Sequence, residues 1–231
     1  MLRSAKDIGI DEIVILGDYG DIFFLNGHGN KDASVPNLFI NEIEDINQGL
    51  DELDKLFPKA KKVYLQGNHE YRFERYIENR CPELFGITEF KRLIKINERI
   101  NWKFIPYGPN QSYKILGSHL RARHEPLASS AKATSAKALC SLTYGHIHQI
   151  EESHIVGLDG TNHVSFSVGW LGDKQSDKIF GYVKNQHQWQ LGFGIVYVDQ
   201  DTGLFYHQKI HILESDDGKL SCVVNGKGYT A

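Results

Sequence analysis

The sequence predicts an α/β fold in which two packed, mixed β-sheets are flanked by helices, and three observations carry that prediction. Short apolar runs ending in glycine alternate with amphipathic stretches as far as Gly145. Beyond Gln149 the pattern turns to strands separated by Asp-Gly and Thr-Gly turns. Across 231 residues there is no internal repeat, low-complexity tract or Gly/Ser/Pro linker, so residues 1–231 are expected to form a single domain with a β-rich second half from 150 to 231.

Each element has its own reason. Leu2 to Ile10 reads as the tail of an amphipathic helix. Glu12 to Leu16 is a short β-branched run ending at Gly17, the pattern of a strand buried on both faces. From Leu38, apolar residues at Ile40, Ile43, Ile46, Leu50, Leu53 and Leu56 recur at helical spacing with acids between them, and Pro58 supplies the stop. Lys62 to Gln66 is a second strand closed by Gly67, and Glu70 to Arg80 has helical spacing. A basic helical stretch is expected around Phe90 to Ile100. Strands follow at Trp102 to Ile105, Ser112 to Leu116 and Ser118 to Arg123, then an Ala-rich helix from Leu127 to Leu139 and the run Ser141 to Tyr144. In the last third, strands are expected at His154 to Val156, His163 to Val168, Leu191 to Asp199, Phe205 to Leu213 and Leu220 to Val224.

Composition narrows the function classes. Charged residues are 24% and hydrophobic ones 41%, which excludes wholesale disorder and fibrous classes. The net charge of -3 means that binding to nucleic acid or anionic lipid needs a local patch. Cys81, Cys140 and Cys222 are far apart and form no C-x-x-C pair, which disfavours both a disulfide framework and a thiolate zinc site. No apolar run approaches the roughly 20 residues of a membrane span. The expectation is a cytoplasmic protein with no membrane partner.

The chemistry gathers at run ends. Gly17-Asp18-Tyr19-Gly20-Asp21, Gly67-Asn68-His69-Glu70, Arg123-His124-Glu125 and Gly145-His146-Ile147-His148 each follow a predicted strand. In open α/β sheets, ligands sit outside the carboxyl ends of the strands, where such clusters converge. Asp, Asn and His make a mixed O/N donor set suited to divalent Mn²⁺, Fe²⁺ or Zn²⁺.

The order of these clusters resembles the calcineurin-like metallophosphoesterase superfamily. Its signature runs D-x-H, G-D-x-x-D, G-N-H-[DE], a histidine closing a strand, and G-H-x-H. Four of those five blocks stand in order within 13–149, with G-N-H-E and G-H-I-H verbatim. The resemblance implies the family's α/β/β/α sandwich and metal-dependent hydrolysis of a phosphomonoester or phosphodiester. It makes Asp18 a carboxylate bridging two metals, Asn68, His124 and His146 ligands of the second metal, and His148 a ligand of the first. It implies that His69 is the general acid or transition-state stabiliser and that Asp21 orients it. Two such cations would clamp the attacking and leaving oxygens and acidify a bridging water. Manganese is the expected ion.

The chain departs from the signature at its first block. No D-x-H precedes the Leu2 to Ile10 stretch, so two ligands of the first metal and the strand that carries them are absent. A late assigned start, a complementing N-terminal fragment on another polypeptide, and a non-catalytic protein-binding scaffold with the same fold each account for this. The chain as written is expected to hold one metal well and the second poorly.

Several residues carry a plainer reading beside the functional one. His119 shares a run with His124, but the spacing to the Ala-rich helix and to Gly145 favours His124. His28 reads as a surface residue, and His154, His163, His187, His207 and His211 as packing or solvent-facing. Arg72, Arg75 and the basic residues beyond them read as a solvated helix face or as a phosphate-binding shoulder, with Arg72 the candidate substrate contact. Trp189 reads as core at a strand start. Ile22-Phe23 after Asp21 and Gln66 before Gly67 stand where the protein serine/threonine phosphatase branch has Arg-Gly and Arg, which moves phosphodiesters and nucleic acid up as substrates.

Overall fold

A computed structural model describes residues 1–25, 35–173 and 186–230, the side chains of 35–37 and 186 aside. The architecture is mixed α/β, with several sheets flanked by helices. The chain forms two compact units. One is continuous, Ile10–Gln111; the other joins Met1–Gly9 to Ser112–Ala231.

The continuous unit is a three-stranded parallel sheet in the order β1 (Glu12–Ile15), β2 (Lys61–Leu65), β3 (Trp102–Ile105). Parallel neighbours need crossovers. The first is made by α2 (Val35–Leu56), the second by α3 (Tyr71–Arg80) and the short α4 (Phe90–Leu93). The central strand carries the core: Val63, Tyr64 and Leu65 are fully buried, with Ile46, Leu50 and Leu53 of α2 and Phe73 and Ile77 of α3 also inside. Tyr64 stacks on Phe104 at 5.8 Å and tilts against Phe90 at 6.3 Å. All four residues of β1 are half-buried. Full burial on both faces, expected for β1, belongs instead to β2, which alone has a strand on each side.

One polar network is built into this unit. Lys62 points inward from β2 and is 1% exposed, its Nζ 3.1 Å from Asp54 Oδ1 on α2 and 3.2 Å from the Ala60 carbonyl. Asp54 also accepts from Trp102 Nε1 at 2.7 Å and from Arg99 at 2.9 Å. Burial pushes the Asp54 carboxyl up, but the hydrogen bonds from Trp102, Lys62 and Arg99 outweigh it and hold the group below its ordinary range.

In the second unit, a five-stranded sheet runs in the order β4 (Tyr113–Lys114), β5 (Leu120–Arg123), β6 (Ser141–Tyr144), β8 (Asn162–Val168), β7 (Ile150–Val156). The three inner strands β5, β6 and β8 are parallel, and the outer two are antiparallel to their neighbours. The crossover between β5 and β6 carries α5 (Ala131–Ala138), whose Ser130 cap accepts from Ala133 N–H at 3.3 Å. Two antiparallel sheets follow: β9 (Gly192–Val198) with β10 (Phe205–His211), and β11 (Leu213–Glu214), β12 (Leu220–Val224), β13 (Lys227–Thr230). Phe193, Ile210, Cys222 and Val224 make an apolar cluster between them, and Ile8 of α1 (Leu2–Ile8) packs against it. Asp7 on α1 receives Lys227 Nζ at 2.5 Å and Tyr229 Oη at 3.1 Å, and Arg3 donates to the Thr230 carbonyl at 3.3 Å.

Several expected elements differ. The Ser112–Leu116 strand keeps only Tyr113–Lys114 and gives way to a 3₁₀ turn at Ile115–Gly117. The Phe90–Ile100 helix is only one turn, because Lys95 takes a left-handed backbone (φ 53) and the chain continues as a short 3₁₀ turn at Ile96–Glu98. The Ala-rich helix begins at Ala131, since Ser130 caps it there. β13 was not anticipated from the sequence.

Candidate functional site

The continuous unit brings most of the expected catalytic residues together. β1 and β2 are parallel neighbours, so the turns after them, Gly17–Asp21 and Gly67–Glu70, leave the same edge of the sheet. Asp18 Oδ1 accepts the backbone N–H of His69 at 3.0 Å, tying the two turns together. His69 Nδ1 lies 2.5 Å from Asp21 Oδ1, and its Nε2 lies 3.9 Å from Asp18 Oδ2. An ionised carboxylate only accepts, so His69 Nδ1 carries the proton in that contact. Nε2 is thereby left as the outward-working nitrogen.

Arg72, in the first turn of α3, donates from Nη1 to the Asp21 carbonyl at 2.8 Å and approaches Asp21 Oδ1 at 3.4 Å. Part of its guanidinium is therefore committed to holding Asp21. Asp21 Oδ2 is buried with no hydrogen-bond partner among the described residues. Asn68 is half-buried between Gly67 and His69. His28 lies outside the described residues.

The second unit assembles the histidines. Parallel pairing of β5 with β6 aligns Arg123 with Tyr144, and Gly145 N–H donates to the His124 carbonyl at 2.9 Å. His124 is fully buried; His146 is exposed, with its Nδ1 3.3 Å from His124 Nε2 and the rings edge to face. Two imidazole nitrogens facing at that distance, on adjacent strand ends, are the donor chemistry a borderline divalent cation takes.

The backbone after Gly145 is coiled: His146 and His148 both adopt positive φ, 66 and 57. His148 packs against two indoles, with Trp189 at 4.1 Å and Trp170 at 5.7 Å between ring centroids. His119 sits elsewhere, at the exposed turn where its Nε2 meets the Thr202 carbonyl. His154 and His207 are both held by Glu152.

Two features escaped sequence reasoning. Trp170 and Trp189 are not adjacent in any local pattern, and only the fold sets them beside His148. Glu70 was given no role, although its fourth place in the Gly67–Glu70 run is the signal that could have drawn attention to it. Among the described residues, no helix is long and apolar enough to cross a membrane. No family model matches the sequence, and neither a curated protein nor a solved structure matches the chain.

Proposed function

We propose that the protein is a metal-dependent phosphoesterase, acting on a phosphomonoester or phosphodiester, with single-stranded nucleic acid among the candidate substrates. The observation that carries the reading is His69, held by Asp21 through Nδ1 while Nε2 faces the Asp18 carboxylate. That is how a histidine is arranged when it must deliver a proton beside an anionic ligand.

In the continuous unit Asp18 and Asn68 offer oxygen donors, and in the other His124 and His146 offer imidazole nitrogens 3.3 Å apart; the family resemblance implies that all four serve one divalent ion. Backbone strain supports the choice. Asp18 and His146 both have left-handed φ, 52 and 66, a conformation that costs a non-glycine residue about 1–2 kcal/mol and that clusters at functional sites. The metallophosphoesterase sandwich and the preference for manganese belong to the same proposal. When bound, the ion supplies a Lewis acid and an acidified water.

The chain's own residues do the rest. Asp18 orients its carboxylate through the hydrogen bond from His69 N–H. Asp21 fixes the ring of His69 through its Nδ1–H, and Arg72 fixes Asp21. The proton destined for the leaving-group oxygen is the Nε2–H of the imidazolium, whose Nδ1–H stays bonded to Asp21.

The test is turnover of bis-p-nitrophenyl phosphate and of single-stranded DNA with Mn²⁺. Asp18→Ala and His69→Ala are each expected to lower kcat/KM by about 100-fold or more. No turnover by the unmodified chain, or turnover that survives both substitutions, rejects the reading.

A further inference from the structure

We propose that Glu70 is the positioning residue of this site: its buried carboxylate grips the backbone of the Asp18 turn and sets where the Asp18 side chain points. Among the described residues, five donors converge on its two oxygens. Oε1 accepts from Tyr19 N–H at 2.7 Å, Gly20 N–H at 3.2 Å and Tyr64 Oη at 2.8 Å. Oε2 accepts from Gly67 N–H at 2.8 Å and Asp18 N–H at 3.1 Å. Glu70 is fully buried. A carboxyl surrounded by five donors is satisfied as a carboxylate, which offers about four lone-pair sites and needs no acceptor of its own.

The grip has a mechanical purpose. Gly17 and Asp18 stand at φ 90 and 52, so the turn folds back and aims the N–H groups of Asp18, Tyr19 and Gly20 at a single point. Without an acceptor there, one buried and two part-buried donors would be left unmet, and the strained Asp18 backbone would relax toward an ordinary conformation. Two flanking contacts leave the turn no other seat: Tyr19 lies over Gly49 of α2, and Gly20 is pressed on Ile46. Glu70 itself is fixed at the start of α3, one residue from His69. A single carboxylate thus ties the residue proposed as metal ligand to the residue proposed as proton donor, and it touches neither the ion nor the substrate.

The consequence for metal binding rests on the function proposed above; the consequence for the backbone does not. The experiment therefore reads both, in Glu70→Gln, Glu70→Asp and the control Glu78→Gln, an exposed acid on the same helix. Amide hydrogen exchange by NMR follows Asp18, Tyr19 and Gly20 against Val63 and Leu65 of β2, and calorimetry follows Mn²⁺ binding.

In Glu70→Gln the three turn amides are expected to lose protection about tenfold or more while β2 keeps its own, and Mn²⁺ affinity to weaken about 10- to 100-fold, as for other supporting residues of metal ligands. Glu70→Asp, too short to reach all five donors, shows the same pattern in weaker form and decides the matter if the Gln variant does not fold. Glu78→Gln changes neither. Unchanged protection at the turn, a uniform loss across the unit, or wild-type Mn²⁺ affinity in a variant whose turn has loosened overturns the proposal. If the unmodified chain binds no Mn²⁺, the phosphoesterase reading falls, and the exchange pattern alone decides whether Glu70 holds the turn.

Discussion

Gly67 shows how little freedom the site allows a single residue. A Cβ at that position would collide with Asp18 N and Asp18 Oδ1 and would stand 2.7 Å from Glu70 Oε2. The obstacles are backbone and a buried carboxylate, so neither can swing aside. Gly67→Ala is expected to lower stability by about 1–3 kcal/mol in urea titration, the usual cost of overpacking. It should also remove turnover, because the same displacement carries Asp18 with it. An alanine variant with wild-type stability would show that the turns after β1 and β2 are not seated as described.

At the scale of the element, the contact between α2 and β2 depends on a buried ammonium. Lys62 has Asp54 as its carboxylate partner, and Asp54 simultaneously receives Trp102 and Arg99. Removing one member of such a pair strands the other, whereas replacing the buried charge by an apolar chain of similar length does not. Asp54→Ala is therefore expected to cost about 3 kcal/mol by chemical denaturation, and Lys62→Met clearly less. The reverse order would mean that the ammonium is hydrated in solution.

These elements also show what the residues reveal in advance. The amphipathic period of α2 and the apolar run of β2 report burial directly, so both were readable. The Phe90–Ile100 stretch was not, because its helical spacing persists while Lys95 breaks the backbone at φ 53, a conformation that lysine does not advertise. β13 was missed because Lys-Gly-Tyr-Thr has no alternation of its own, and its pairing with β12 makes it a strand. In the site, Asp21 and His69 were legible as types at recognisable offsets. Glu70's grip was not, since four of its five donors are backbone N–H groups, which no side-chain pattern marks.

At the scale of the whole molecule, one carboxylate ties two sheets of the discontinuous unit. Glu152 on β7 accepts from His154 at 2.6 Å, and from His207 at 3.0 Å and Lys209 at 2.6 Å on β10. Burial pushes its carboxyl up, but the hydrogen bonds from Lys209, His207 and His154 outweigh that and hold it at about 2, against an ordinary 4.5. Because the folded value lies below the unfolded one, the stabilisation is complete above about pH 4.5 and is lost as the pH falls toward about 2. The difference in melting temperature between the unmodified chain and Glu152→Gln should shrink steadily as the pH falls from about 4.5 toward about 2. A difference that stays flat to low pH would assign the effect of Glu152 to packing instead.

The pairing of Asp7 with Lys227 and Tyr229 has a consequence for synthesis. Chains emerge from the ribosome in order, and domains tend to fold as their sequences become complete. The Ile10–Gln111 unit is contiguous, and β1, β2 and β3 are all made before β13. α1 is made before that unit, yet it must wait for β13 before Asp7 can meet its partners. A helix that precedes the parallel sheet in sequence is thus among the later described elements to dock, and a nascent chain stalled between the two would hold a finished parallel sheet with α1 still undocked.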